Sequence, residues 1–281
     1  MEQGGYEILK SVILCMLLSL TYIGSLLIWN SPYNRDHPST IKKRFLSVFM
    51  MLFISPCFLY VGLTNETLEK QSFLELLGLR IQGLCQATFL PLFLTIILFL
   101  GPITMELYSG LSKLYTEEMD WFSNLTNLIW LRNHIVAPIS EEFTYRSCML
   151  PMLLQCFSPC TSILSSPLFF GVAHFHHMWD RIHHMQMSFD DALKISCFQF
   201  TYTTLFGMYS AYLFYRTGHF ISIVIVHGFC NHMGFPAIGD IATYKGWKKK
   251  IVISSFLIGF ISWCFLIEPL TEPSWYHHHL L

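Results

Sequence analysis

Charge is what this sequence has least of. Only 12% of its 281 residues are Asp, Glu, Lys or Arg, about half the share usual in a soluble domain. So little charge cannot keep a fold of this size in water when 53% of the chain is hydrophobic and phenylalanine alone supplies 25 residues. The bilayer is the solvent that fits. With a net charge of −1, no Gly-rich phosphate loop and no basic, aromatic-studded stripe, nucleic acid is not an expected partner. No Cys-x-x-Cys pair occurs among the nine cysteines at positions 15, 57, 85, 148, 156, 160, 197, 230 and 264. That spacing excludes a zinc ribbon and argues against a disulfide framework, so the cysteines read as buried free thiols. There is no Gly-x-Ser-x-Gly elbow and no His-Glu-x-x-His pair.

What the chain has instead is long apolar runs. A spanning helix needs about 20 apolar residues, and clear candidates lie at 8–29, 45–63, 83–105, 192–215 and 251–267. The first is too long for a signal-peptide core and reads as a retained span. No lipidation box is seen at the C-terminus, and His277, His278 and His279 are given no role. Four further segments, 125–138, 143–157, 162–173 and 220–236, are apolar but short or interrupted by polar groups. Such segments survive at membrane depth when buried in protein or lining a wet cavity. The expected fold is therefore all-α: a single polytopic bundle over residues 1–281, of about eight spans, enclosing a polar cavity.

Lys and Arg in short loops set orientation. Arg35, Lys42, Lys43 and Arg44 in the first loop, and Lys245, Lys248, Lys249 and Lys250 in the last, place both on the cytosolic side. The loop at 64–82 is then lumenal, and its Asn65-Glu66-Thr67 sequon agrees. The sequon at Asn124 falls on the cytosolic side, as a chance match. Seven candidate segments between the two basic loops cannot return the chain to one side. Segment 125–138, interrupted by Arg132, Asn133 and His134, is expected not to cross.

Three polar clusters stand inside this apolar chain. Glu141-Glu142-Phe143-Thr144-Tyr145-Arg146 follows Pro138. Charges at membrane depth are paired or functional. Glu142 and Arg146 are spaced to pair on one helical face, while Glu141 points about 100° away. The plain alternative is a helix start capped by Ser140, with acids suiting the dipole. The second cluster runs from Phe170 to His177 and places His174 and His177 on one helical face; His176, His183 and His184 read as idle, in a wet loop. In the third, His227 and Asn231 project together, one turn apart, from an apolar helix. A satisfied core pair is the plain reading of that spacing. Cys230 near His227 raises a thiol protease, but packing neighbours suffice.

Taken together, Glu-Glu-x-x-x-Arg, Phe-x-x-x-His and His-x-x-x-Asn in that order, over about 138–236, resemble the intramembrane CAAX-processing protease and bacteriocin-immunity family. The runs APISEEFTYRSCMLP and FFGVAHFHH look closer still to its eukaryotic Ras-converting branch. The resemblance implies an endopeptidase that cuts the last three residues from prenylated CAAX proteins, Ras-like small GTPases among them, in the endoplasmic reticulum membrane. It further implies that Glu141 and His174 activate a water, that His227 and Asn231 bind the oxyanion, and that Glu142 and Arg146 brace the first motif. No cofactor is expected. A zinc site made of Glu141, His174 and His227 is the alternative, weakened by Asn231, a poor zinc ligand. A non-enzymatic scaffold and a proton-coupled transporter are the rivals. The first needs no convergent Glu, His and Asn, and the second should show two related halves, which the sequence lacks.

Overall fold

The computed structural model describes residues 2–29, 31–110 and 121–279, and every regular element among them is helical. The principal helices are α1 (Glu2–Leu27), α2 (Pro38–Gly62), α3 (Leu84–Leu98) and α4 (Leu100–Ser109). Then come α5 (residues 128–154), α6 (Pro159–Ala173), α7 (His176–His183), α8 (Phe189–Thr217), α9 (Phe220–Met233) and α10 (Gly246–Leu270). The run expected at 83–105 is the pair α3 and α4, bent by 68°.

Contacts between loops define two ends of the bundle. At one, Arg132 Nη1 binds Asp36 at 2.8 Å, Asn231 Nδ2 reaches the Asn133 carbonyl at 2.8 Å, and Tyr244 donates to the Met105 carbonyl at 3.2 Å. At the other, Gln155 donates to the Gly62 carbonyl at 2.7 Å, Phe220 N bonds the Gly78 carbonyl at 3.0 Å, and Arg80 meets His278 at 2.8 Å. The C-terminal histidines, given no role from sequence, thus dock on the second end. Among the described residues α1, α2, the α3–α4 pair, α5, α6, α8, α9 and α10 run back and forth between these ends. Both basic loops fall at the first end and Asn65 at the second.

The chain is a multi-pass membrane protein. By length and composition α1, α2 and α10 suffice to cross a membrane, and the bent α3–α4 pair makes a fourth if it is one span. Their apolar side chains point outward: in α10 only 11% of the most apolar window is buried within the protein. The other passes are shorter or more polar, and they meet inside. All nine cysteines are free, but only Cys15 and Cys148 are buried, so the expectation of buried thiols holds for two of them. Cys230 packs beside the cluster of Leu94, Leu150, Ile223 and Val226.

One expectation is corrected. Segments 125–138 and 143–157 are not separate; residues 128–154 form one helical run, α5, started by the Asn127 side chain accepting from Ile129 and Trp130 N–H. At 1.5 Å per residue it is about 40 Å long. With the two segments joined, the chain returns to the first end without a segment that fails to cross. Ser140 is accordingly interior to a helix rather than a cap, and its hydroxyl meets Tyr22 at 2.9 Å. Two π-helical turns interrupt α5, at Arg132–Val136 and Phe143–Cys148. Each precedes a proline, Pro138 or Pro151. A proline has no N–H and its ring clashes with the carbonyl four residues back. The wider turn clears that carbonyl: Ala137 N bonds Arg132 O and Met149 N bonds Thr144 O, five residues back in each case.

The shared end for the two basic loops is testable with single-cysteine reporters at 31–37 and 237–245, in a protein otherwise free of cysteine. In sealed microsomes both should react with an impermeant thiol reagent from the same side, with Asn65 on the opposite side. Reaction from opposite sides would overturn this arrangement of passes.

Candidate active site

The site is built on α5. Its Glu142 is fully buried and accepts three hydrogen bonds. Arg146 Nη1 donates to Oε1 at 3.2 Å, His227 Nδ1 lies 2.7 Å from the same oxygen, and Ser210 Oγ donates to Oε2 at 2.6 Å. The donors come from α5, α9 and α8. A carboxylate away from water requires such partners, because an unpaired charge there costs several kcal/mol. The spacing of Glu142 and Arg146 thus gave the right pair, and the structure adds His227 and Ser210.

His227 stands between the two glutamates. Its Nδ1 faces Glu142 and its Nε2 lies 3.8 Å from Glu141 Oε2. The two acids have unlike surroundings, as their angular separation on the helix predicts. Glu142 is closed off, while the Glu141 side chain keeps 20% of its surface open. A carboxylate already held by a guanidinium only accepts, so His227 Nδ1 carries a hydrogen and Nε2 is the ring atom presented to Glu141.

Phe170 of α6 joins the remaining motif to this cluster. The Arg146 guanidinium lies over its ring, 4.4 Å from the centroid, a cation–π contact. The rings of His174 and His227 lie 4.5 and 6.4 Å from the same ring. His174 is the residue that closes α6, not part of a helix continuing through His177. Its Nδ1 bonds the Phe170 carbonyl at 2.8 Å, which can only accept, so Nε2 is left as a proton acceptor. The ring of His177 is nonetheless 5.9 Å from that of His174. His176 and His183 belong to α7 rather than to a loop. They bond the Ala173 and Trp179 carbonyls, and His184 lies 3.7 Å from Asp180.

Asn231 stands apart. It is exposed, one turn beyond His227, with its amide nitrogen on the Asn133 carbonyl in the first π turn. That approach depends on Gly228, where a Cβ would come within 3.0 Å of the His134 carbonyl. Gly207 of α8 has a similar role at Arg146: a Cβ there would lie 2.8 Å from Nη2 and 2.7 Å from Pro167 Cβ. Among the described residues no three His, Cys, Asp or Glu side chains are grouped as metal ligands would be.

Sequence reasoning left Ser210 unassigned. Its signal is a buried face on α8, where Gln199, Thr203, Gly207 and Ser210 recur at helical spacing in an otherwise aromatic segment. Small and polar residues mark packed helix faces in membranes.

A membrane-embedded helical bundle that closes a glutamate, a histidine and an arginine around a second, open glutamate defines an intramembrane hydrolase. The chain belongs to the type II CAAX prenyl endopeptidase family, Rce1-like, whose model matches residues 123–233. It is 42% identical to the human CAAX prenyl protease 2 over 95% of this chain and 82% of that protein. It is 30% identical to the Arabidopsis thaliana protein of the same name, over 95% and 91%. With the one from Saccharomyces cerevisiae it shares 31%, over 81% and 80%. No solved structure matches the chain.

Removing Glu142 leaves a buried guanidinium without its carboxylate, which typically destabilises by about 3–5 kcal/mol. Glu142→Ala is therefore expected to lower the thermal midpoint of the detergent-solubilised protein strongly. Ser210→Ala, which removes one hydrogen bond to a charged group, is expected to lose about 1.5–3 kcal/mol. Equal, unchanged midpoints for both would show that this network does not hold the site.

Proposed function

We propose that this chain, acting as a single protease unit, removes the last three residues from prenylated CAAX proteins, Ras-like small GTPases among them, at the endoplasmic reticulum membrane. Water attacks the scissile carbonyl without a metal. The observation that carries this reading is the His227 ring set between two unlike glutamates, one locked by three donors and one open. Hydrolysis of an amide needs a base at the water and donors where negative charge grows. Glu141, the open acid, takes the proton of the water, assisted by His174 through the nitrogen its backbone bond leaves bare. Glu142 holds His227 in orientation, and Arg146 and Ser210 hold Glu142.

His227 and Asn231 are the proposed donors to the oxyanion. With Nδ1 directed at Glu142, His227 donates from Nε2 when the ring carries both protons. Asn231 has two amide hydrogens; the Asn133 carbonyl occupies one and orients the other. The prenyl chain belongs in lipid and the scissile bond needs water. A polar site enclosed by apolar outer helices serves both.

The test is cleavage of a farnesylated CAAX peptide by purified protein. Glu141→Ala should lose about 10²–10⁴ in rate, the usual worth of a general base, while remaining folded; activity within about threefold of the parent would remove Glu141 from this role. Asn231→Ala should lower kcat by about 10²–10³ with little change in KM, as expected for a contact made only in the transition state. Chelator should leave activity intact. Loss on chelation, restored by zinc, would replace the glutamate mechanism with a metalloprotease using Glu141, His174 and His227.

A further inference from the structure

Three arginines gather at the basic end of the bundle, beside the site. Arg35 comes from the loop after α1, Arg44 from α2, and Arg132 from the first π turn of α5. Two carboxylates answer them. Arg132 takes Asp36 at 2.8 Å and Arg44 faces Asp180 at 3.8 Å. Arg35 meets Asp36 only at the edge, Nε to Oδ1 at 3.7 Å. Its Nη1 instead lies 3.3 and 3.5 Å from the two ring nitrogens of His177. Its side chain is 29% exposed, so it is both held in place and open to a ligand.

The position of Arg35 relative to the reacting groups gives this charge a use. His177 touches Arg35 on one side, and its ring centroid is 5.9 Å from that of His174 on the other. The guanidinium therefore stands no more than about 10 Å from the His174 ring, which is also the reach of three extended residues. A substrate cut three residues from its end carries its own negative charge at that distance from the scissile carbonyl, namely the terminal α-carboxylate. A guanidinium fork matches a carboxylate in shape and charge.

We infer that Arg35 binds the C-terminal carboxylate of the substrate and so measures the three-residue leaving fragment from the chain end. This inference rests on the endopeptidase reading above. In this arrangement Arg132 and Arg44 keep Asp36 and Asp180 engaged, which leaves Arg35 as the group of the three least neutralised by a carboxylate. His177 fixes the approach of the guanidinium next to the catalytic histidine.

The test compares a farnesylated CAAX peptide as free acid with the same peptide as its C-terminal amide, using the full-length purified protein. The parent should prefer the acid by about 10–100-fold in kcat/KM, the range of a hydrogen bond to a charged group. Arg35→Gln should lose that factor on the acid and keep its rate on the amide, bringing the two within about threefold. Arg35→Lys, which keeps charge but not the fork, should retain the preference at a reduced ratio, and it decides the matter should the glutamine variant fail to fold. A parent that treats acid and amide alike overturns the inference while leaving the endopeptidase reading intact. So does an equal loss on both peptides in either variant, which marks Arg35 as structural. Cleavage of neither peptide by the parent defeats the endopeptidase reading and, with it, this inference.

Discussion

A carboxylate with no exposed surface is the constraint from which this structure follows. Glu142 lies inside a membrane protein, where neither water nor lipid can solvate it. It therefore needs donors, and it takes them from three helices at once: Arg146 from α5, His227 from α9 and Ser210 from α8. Those bonds fix the three helices against one another at one depth. The arginine brings its own requirement, met by the Phe170 ring on one side and by the missing side chain of Gly207 on the other. Packing, pairing and the orientation of the histidine are thus one solution to one desolvation problem.

Around that centre the usual polarity of a protein is reversed. The outer helices α1, α2 and α10 show apolar faces outward, while α5, α6, α8 and α9 turn Ser, Thr, Gln, Glu and Arg inward. The short inner passes have hydroxyls satisfied largely by the carbonyl four residues back, as at Ser196, Thr203 and Thr217. That local bond lets a helix carry polar groups at depth without requiring a partner for each one. Glu141 departs from this pattern: it sits beside the locked carboxylate and stays partly open. The difference between two adjacent glutamates comes from helix rotation alone.

Much of this is legible in the sequence, for identifiable reasons. The membrane setting follows from the scarcity of charge. The Glu142–Arg146 pair follows from spacing, and the resemblance of three motifs singles out Glu141, His174 and His227. Sequence does not show that 125–138 and 143–157 are one helix, because Arg132, Asn133, His134 and Pro138 imitate a break. Those polar groups are absorbed at the bundle end, by Asp36, Asn231 and the Trp130 carbonyl, and the proline by a π turn. Nor does spacing reveal Ser210 as a ligand of Glu142, since they lie 68 residues apart in the chain. The side-by-side use proposed for His227 and Asn231 gains a complication. Both lie on α9, but one is enclosed at Glu142 and the other opens near the bundle end.

The two π turns also determine what kinds of change the site can absorb. A π turn holds one residue more than an α turn covering the same rise, so each stores an insertion within α5. Deleting a residue from the turn before Glu141 would relax it to ordinary helix without disturbing the hydrophobic pattern. The glutamates would then be rotated by about 100° relative to the start of the helix. The helix would remain as apolar, and Glu142 would face lipid or backbone instead of His227. The alignment of the site is thus recorded in the length of the chain as much as in its side chains. Substitutions along α5 would be graded in effect, and single-residue deletions close to all-or-none.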